Sequence, residues 1–300
     1  MGVFVRGLWG TTALLGLLAA CGTGRVAGQV ARLDRTVAES SGLVASGVDP
    51  SLLWTHGDSG TVPVLFAVNP RGEVVSRLRV LDAPNQRAAP DWEDITRDDF
   101  GRLWVADTGN NENRRRDLAV FAVREPTTRG AADVKVEAVV RLSYPDQRGW
   151  PDPDRLDFDG EALFWWDGAL FLLSKHRSDT WTTLYRLPAL EGEVVLERLG
   201  DYDVGGDRRR FGGQVTGADV SPDGATLAVL TYHAVLLFPR PASGANWLGG
   251  APKVIPLDQD LLRQCEGIAW MGADLLIDNE DGRVFRVPEP LSYEGVFPRR

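Results

Sequence analysis

The residues of this chain best suited to chemistry are acidic, and they recur at intervals. Glu39, Glu93, Glu161 and Glu266 each open a short apolar stretch, and Thr216 opens a fifth; the openings lie 54, 68, 55 and 50 residues apart. A polar exit follows each stretch: Asp58, Asp107, Lys175, the pair Thr231-Tyr232, and Asn279. Four carboxylates gathered at one axis repel one another strongly in a low dielectric. Such a ring needs raised pKa values, backbone N–H donors, basic partners or a metal. Oxygen-only ligands, with no thiolate or imidazole at these positions, point to a hard cation, Ca2+ ahead of Mg2+. The candidate metal ligands are Glu39, Glu93, Glu161, Glu266, Asp58, Asp107 and Asn279, with Lys175 placed to neutralise one carboxylate. Two other readings stay open. The glutamates can accept hydrogen bonds from neighbouring backbone and tie the structure together, or they can form a catalytic carboxylate cluster.

All three histidines, His56, His176 and His233, also lie at exits. His56 precedes Asp58 by two residues, so both fall on one face of a strand. That makes His56 the candidate general base, against the alternative of a packed or solvated turn histidine. Several familiar chemistries are absent. "HGDSG" lacks the GxSxG elbow, "GTGRVAG" lacks the strand and βαβ context of a dinucleotide fingerprint, and "NNENRRR" lacks EF-hand spacing.

The elements that must position these residues are repeats. "ESSGLVASGVDPSLLWTHGDSG", "WEDITRDDFGRLWVADTGN", "GEALFWWDGALFLLSKHR", "TGADVSPDGATLAVLTYHA" and "EGIAWMGADLLIDNEDG" share one plan: an acid, or Thr216 in the fourth, an apolar run, a turn, a second apolar run and a polar exit. A third run follows each unit. The first four units add a fourth: "EVVSRLRVLD", "VKVEAVVRLSYP", "EVVLERLGDY" and "KVIPLDQ". Four short strands per unit, ended by Gly, Pro, Asp or Asn, are the pattern of a β-propeller blade. The reading is an all-β, single-domain propeller of five blades over residues 31–300. Six blades result if "YPDQRGWPDPDRLDFD" hides a degenerate one. "QVARLDRTV" can supply the missing strand of the last unit and close the ring. A β-sandwich would show alternation without an acid-led repeat. The tryptophans Trp54, Trp92, Trp104, Trp165, Trp166 and Trp270 are expected to pack between blades, with a sugar-stacking platform as the alternative.

Composition narrows the partners. The formal net charge is −9, and lysine occurs only at positions 135, 175 and 253; the protein lacks the basic surface that nucleic acid requires. Residues 1–20 read as a targeting segment, with Arg6 before the apolar "GLWGTTALLGLLAA". "LAAC", Leu18 to Cys21, resembles the lipobox of bacterial lipoproteins, which implies a lipidated Cys21, a flexible leader over 21–30 and a site of action outside the cytoplasm, tethered to a membrane. With Cys21 so used, Cys265 has no partner for a disulfide.

The order "SSGL…LWTHGDSG…LFAVNPRG…DWEDI…LWVADTGNN…VFAVREP…GEAL…LSK…TGADVSPDG…EGIAW" resembles a group of uncharacterised bacterial secreted or lipoprotein β-propellers over nearly the whole mature chain. "VSPDG" is similar to a strand-turn signature of TolB-like propellers. More distantly, the acid-led strands resemble SMP-30-like lactonases, paraoxonases and strictosidine-synthase-like proteins, which implies calcium at the channel mouth; the asparagines of that superfamily's metal site are matched only by Asn110 and Asn279. The expected function is that of a monomeric, lipid-anchored module that binds a small molecule or a protein at an acidic channel mouth. The alternative is a Ca2+-dependent hydrolase of esters, lactones or phosphate esters, with His56 as base.

Overall fold

Each acid-led unit folds back on itself as a sheet. The computed structural model describes residues 26–58, 62–85, 90–207 and 212–293; the targeting segment, Cys21 and the first residues of the leader lie outside that range. The chain enters through β1 (Gly28–Arg32). Blade 1 follows with β2 (Ser40–Ala45), β3 (Leu53–Gly57), β4 (Val64–Val68) and β5 (Val74–Leu81). Blade 2 holds β6 (Trp92–Arg97), β7 (Arg102–Asp107), β8 (Ala119–Arg124) and β9 (Gly130–Ser143). Blade 3 holds β10 (Asp159–Trp166), β11 (Ala169–Lys175) and β12 (Trp181–Arg186). After β13 (Gly192–Val195), β14 (Glu197–Asp203) completes it. Blade 4 holds β15 (Val215–Val220), β16 (Thr226–Thr231), β17 (Ala234–Pro239) and β18 (Lys253–Pro256). Blade 5 holds β19 (Cys265–Met271), β20 (Asp274–Asn279) and β21 (Arg283–Val287).

Blade 5 is completed by β1, which pairs antiparallel with β21 from Gly28 opposite Arg286 to Arg32 opposite Arg283. The two ends of the chain thus close the ring non-covalently. The closing strand begins at Gly28, inside the segment read from sequence as leader. There are five blades, because residues 144–158 contain no strand. The outer strands add a link that the repeat did not announce. The first part of β9 runs parallel to β5 of blade 1, and its later part pairs with β8 of its own blade. The run "EVVLERLGDY" is likewise split: β13 pairs parallel with β9, and β14 returns to β12.

Alternation places the core. Successive strand residues point to opposite faces, and in a propeller each face meets a different neighbour. Leu43 packs with Ala269 and Leu276 of blade 5, whereas Val44 packs with Ile95 and Val105 of blade 2. Leu163 joins Trp104 and Val120 of blade 2, whereas Phe164 joins Ala218 and Val229 of blade 4. Five apolar clusters result, one per blade interface, with Ile268 and Leu230 meeting in the fifth. Both faces are dry, so the inner strands read as nearly continuous apolar runs instead of alternating ones. The tryptophans serve these interfaces as expected: Trp54 and Trp92 between blades 1 and 2, Trp104 and Trp165 between 2 and 3, Trp270 between 4 and 5. The tight turn from β10 to β11 uses Asp167 and Gly168, both at positive φ, the two-residue hairpin that suits Asp-Gly.

Candidate metal and ligand site at the acidic channel mouth

The inner strands β2, β6, β10, β15 and β19 contact one another in sequence round the axis. At the start of each, the pairing with the second strand slips register. Such a bulge re-aims a side chain, and here it turns Glu93, Glu161 and Glu266 into a common cavity. That cavity measures about 220 Å³ and is also lined by Ser41, Asp58, Lys175, Arg177, Tyr232 and Glu280.

Four of the predicted ligands therefore meet: Glu93, Glu161, Glu266 and Asp58. The other three do not join them. Glu39 is exposed and stands outside the cavity lining. Its supposed place is taken by Ser41, which stands two residues before Leu43 as Glu93 stands two before Ile95. Asp107 is fully buried and spent on Arg115 Nη2 at 3.0 Å, Asn85 Nδ2 at 2.7 Å and the Asp91 N–H. Asn279 donates to the Leu262 carbonyl and accepts from the Arg283 N–H, capping the turn into β21.

His56 is no base in this geometry. It is fully buried with its ring edge-on to Trp92, its Nδ1 bonds the Gly57 carbonyl, and its Nε2 has no partner. Burial pulls its pKa down to about 4, and it does not line the cavity. His176 is held by Asp179 and Thr183, and His233 by Thr231 and the Gly212 carbonyl.

The blades are tied together by other residues than the ring glutamates. Asp94 Oδ2 accepts from the Leu163 N–H at 2.7 Å, Asp219 Oδ2 from the Trp270 N–H at 2.8 Å, and Asp278 Oδ2 from Ser40 Oγ at 2.6 Å. Ser41 and Thr216, in the ring positions without a carboxylate, donate to the carbonyls of Glu93 and Cys265. The glutamates are thereby left to the channel.

Within the cavity the carboxylates are not equivalent. Glu161 pairs with Lys175 Nζ at 2.7 Å. Burial opposes the charge on that lysine, but Glu161, Tyr232 and Glu266 outweigh it and hold its pKa well above the ordinary value. Asp159 is covered by Arg177 at 2.7 Å and by the Asn110 N–H. Glu266 accepts from Tyr232 Oη at 3.0 Å, and burial raises its pKa to about 7. Glu280 accepts from Gln264. Glu93 differs from all of these. It is 8% exposed, and among the described residues no hydrogen bond or ion pair reaches its carboxylate. Burial, and then Glu161, Asp159 and Asp91, push its pKa well above the usual range.

Glu93 belongs to two groups of oxygens in which all members lie within 4.8 Å of one another: with Asp58 and Asp91, and with Asp159 and Glu161. Members of the second group are already engaged by Arg177 and Lys175. Gly109 makes room for the first: a Cβ there would stand 2.1 Å from Glu93 Oε1 and 2.4 Å from Asp91 Oδ2. Asp91 and Asp159 were missed from sequence, although "DWE" and "DGE" each set two acids on one strand face at period two.

No protein-family model matches the chain, and no curated protein matches its sequence. Among solved structures, it is similar to a catalytically inactive virginiamycin B lyase from Staphylococcus aureus with quinupristin. That match has a TM-score of 0.39 and 10% identity, and covers 82% of this chain and 65% of that one. It is also similar to the selenomethionine-substituted virginiamycin B lyase from Staphylococcus aureus, with TM-score 0.41, 11% identity, and coverage of 87% and 98%. Nothing in the site rests on either likeness.

Proposed function

We propose that this propeller is an extracytoplasmic binding module, tethered through a lipidated Cys21, whose acidic mouth takes Ca2+ on Asp58, Asp91 and Glu93 and through it an oxygen-rich ligand. The observation that carries this reading is Glu93. A carboxylate removed from water without donor or counter-charge is costly, and more so among other carboxylates. Protonation or a bound cation relieves the cost. The donor set is all oxygen, which suits a hard ion, and Ca2+ tolerates an irregular shell completed by water. Lys175 and Arg177 pair with Glu161 and Asp159, whereas Glu93 has no such pair. The test is isothermal titration of the purified protein with Ca2+, alongside melting curves in EDTA and in excess Ca2+. Ligand at about a hundred times Kd stabilises a folded protein by about 2.7 kcal/mol, so a shift of several degrees is expected, absent in Glu93→Gln. No heat of binding and no shift would reject the cation site.

One observation favours a hydrolytic reading. Glu266, in the same cavity and bonded to Tyr232, titrates at about 7, where a general base works best. In a Ca2+-dependent hydrolase of esters, lactones or phosphate esters, Glu266 would take the role that the sequence suggested for His56. Turnover of a panel of aryl esters, lactones and phosphodiesters, lost in Glu266→Gln, separates this reading from simple binding.

A further inference from the structure

The channel has a second mouth, and a lone guanidinium stands in it. Where the inner strands end, Ala45, Arg97, Trp166, Val220 and Trp270, one from each blade, line a cavity of about 240 Å³. Its polar centre is a cation. Arg97 closes β6, and among the described residues it forms no close ion pair, although Asp219 attracts it at longer range. Asp98 accepts from Arg102 Nε at 2.6 Å, from Trp104 Nε1 at 2.9 Å, and from the N–H groups of Phe100 and Arg102. Asp99 accepts from Trp165 Nε1 at 2.8 Å. Asp219 accepts from the N–H groups of Val220 and Trp270.

Arg97 itself makes one long contact, from Nη1 to the Asp98 carbonyl at 3.5 Å, and its Nε is buried with no partner. The guanidinium is nonetheless held in place. A Cβ on Gly47 would come within 2.7 Å of Nη1, so that glycine gives the side chain its seat. A guanidinium with N–H groups left unfilled matches an oxyanion in bidentate fashion.

The surroundings select among oxyanions. Asp99, Asp167 and Asp219 stand on the same walls, so a dianion meets more repulsion than a monoanion, whose one charge the Arg97 guanidinium can balance. Burial raises Asp219 to about 7, which removes part of its charge at neutral pH. Trp165, Trp166 and Trp270 supply indole surface for an apolar body. We infer that this second mouth binds a small organic monocarboxylate, its carboxylate on Arg97 and its apolar part against the tryptophans, independently of the acidic mouth.

Benzoate is the probe, benzamide its neutral isostere, and inorganic phosphate the dianion control, followed by tryptophan fluorescence and calorimetry. Benzoate should saturate with a Kd of about 1 mM, an affinity of about 4 kcal/mol. Arg97→Gln should weaken it at least about tenfold, the low end for losing hydrogen bonds to a charged group, and Glu93→Gln should leave it unchanged. In the wild-type protein the 15N resonance of Arg97 Nε should move on titration, which reads the site without any variant. The inference is overturned if benzoate, phenylacetate and hexanoate all fail to saturate. It is equally overturned if benzamide or phosphate binds as well as benzoate, or if the Arg97 Nε resonance stays fixed while benzoate binds.

Discussion

Lys175 Nζ lies 2.7 Å from Glu161 Oε2 at the inner end of the channel mouth, with both side chains under a tenth exposed. One carboxylate of the ring is thereby neutralised inside the protein, while Glu93 in the same cavity forms no ion pair and feels Lys175 only at longer range. That asymmetry is the ground on which the proposed cation site rests.

Breaking the pair exposes its worth. Lys175→Met should destabilise the fold by about 3–5 kcal/mol, because it strands Glu161 as a buried, uncompensated charge. Lys175→Met combined with Glu161→Gln should recover most of that loss. Urea denaturation of the wild type, both single variants and the double variant checks this as a thermodynamic cycle.

Stability without divalent cation should rise as pH falls from 8 to 5. Burial raises Asp91 and Asp278 to about 6 and Glu266 and Asp219 to about 7, from ordinary values of 3.8 for the aspartates and 4.5 for Glu266. Between about pH 4 and pH 7 the folded protein therefore holds more protons than the unfolded chain. The stability tied to these groups is full below the unfolded values and is lost as pH rises through the folded ones. His56 acts in the opposite sense. Its pKa falls from 6.5 to about 4, so its contribution is present above 6.5 and lost as pH drops through about 4. Four carboxylates outweigh one imidazole. Melting temperatures across that range in EDTA should slope downward with pH, and saturating Ca2+ should flatten the slope.

Gly109→Ala tests the cation site without touching a ligand. The added methyl would occupy the space of Glu93 Oε1 and Asp91 Oδ2, so both carboxylates must move. Overpacking of this kind costs about 1–3 kcal/mol. Calorimetry should show Ca2+ affinity reduced at least about tenfold, the size of a 1.4 kcal/mol loss. Unchanged affinity would place the cation elsewhere.

The ring closure can be opened. Deleting residues 1–32 removes β1 and leaves the β21 edge bare, a template for aggregation. Loss of a full strand pairing should lower the melting temperature by about 10 °C, as a loss of several kcal/mol does in a domain of this size. A synthetic peptide of residues 26–36 added in trans should restore part of that loss. Calorimetric scans of the truncated protein with and without the peptide decide the matter.

The repeat was legible because it is local. Apolar runs, turn residues such as Asp167-Gly168 and the spacing of Glu93, Glu161 and Glu266 are all set within single units, and they sufficed for five blades and for a shared acidic mouth. Which acid does what could not be read the same way. Asp94, Asp219 and Asp278 stand outside the recurring openings and exits, yet they hold neighbouring blades through backbone N–H and hydroxyl groups. Glu39 fitted the spacing, but Ser41 occupies its place at the axis. His56 shared a strand with the mouth and was still sealed behind Trp92.

By itself, then, the chain determined a closed ring of four-stranded units and the residue types at the start of each inner strand, since those follow from a period of two and from turn chemistry. The tertiary structure decided which carboxylates are neutralised, which tie blades together and which stay unpaired. Several of those outcomes depend on distances between residues far apart in sequence, such as Asn110 to Asp159, 49 positions apart, or Asp219 to Trp270, 51 apart. Ties between blades are settled by such neighbours, whereas the pairs Lys175–Glu161 and Arg177–Asp159 form within a single blade, where Lys175 was already legible as a partner.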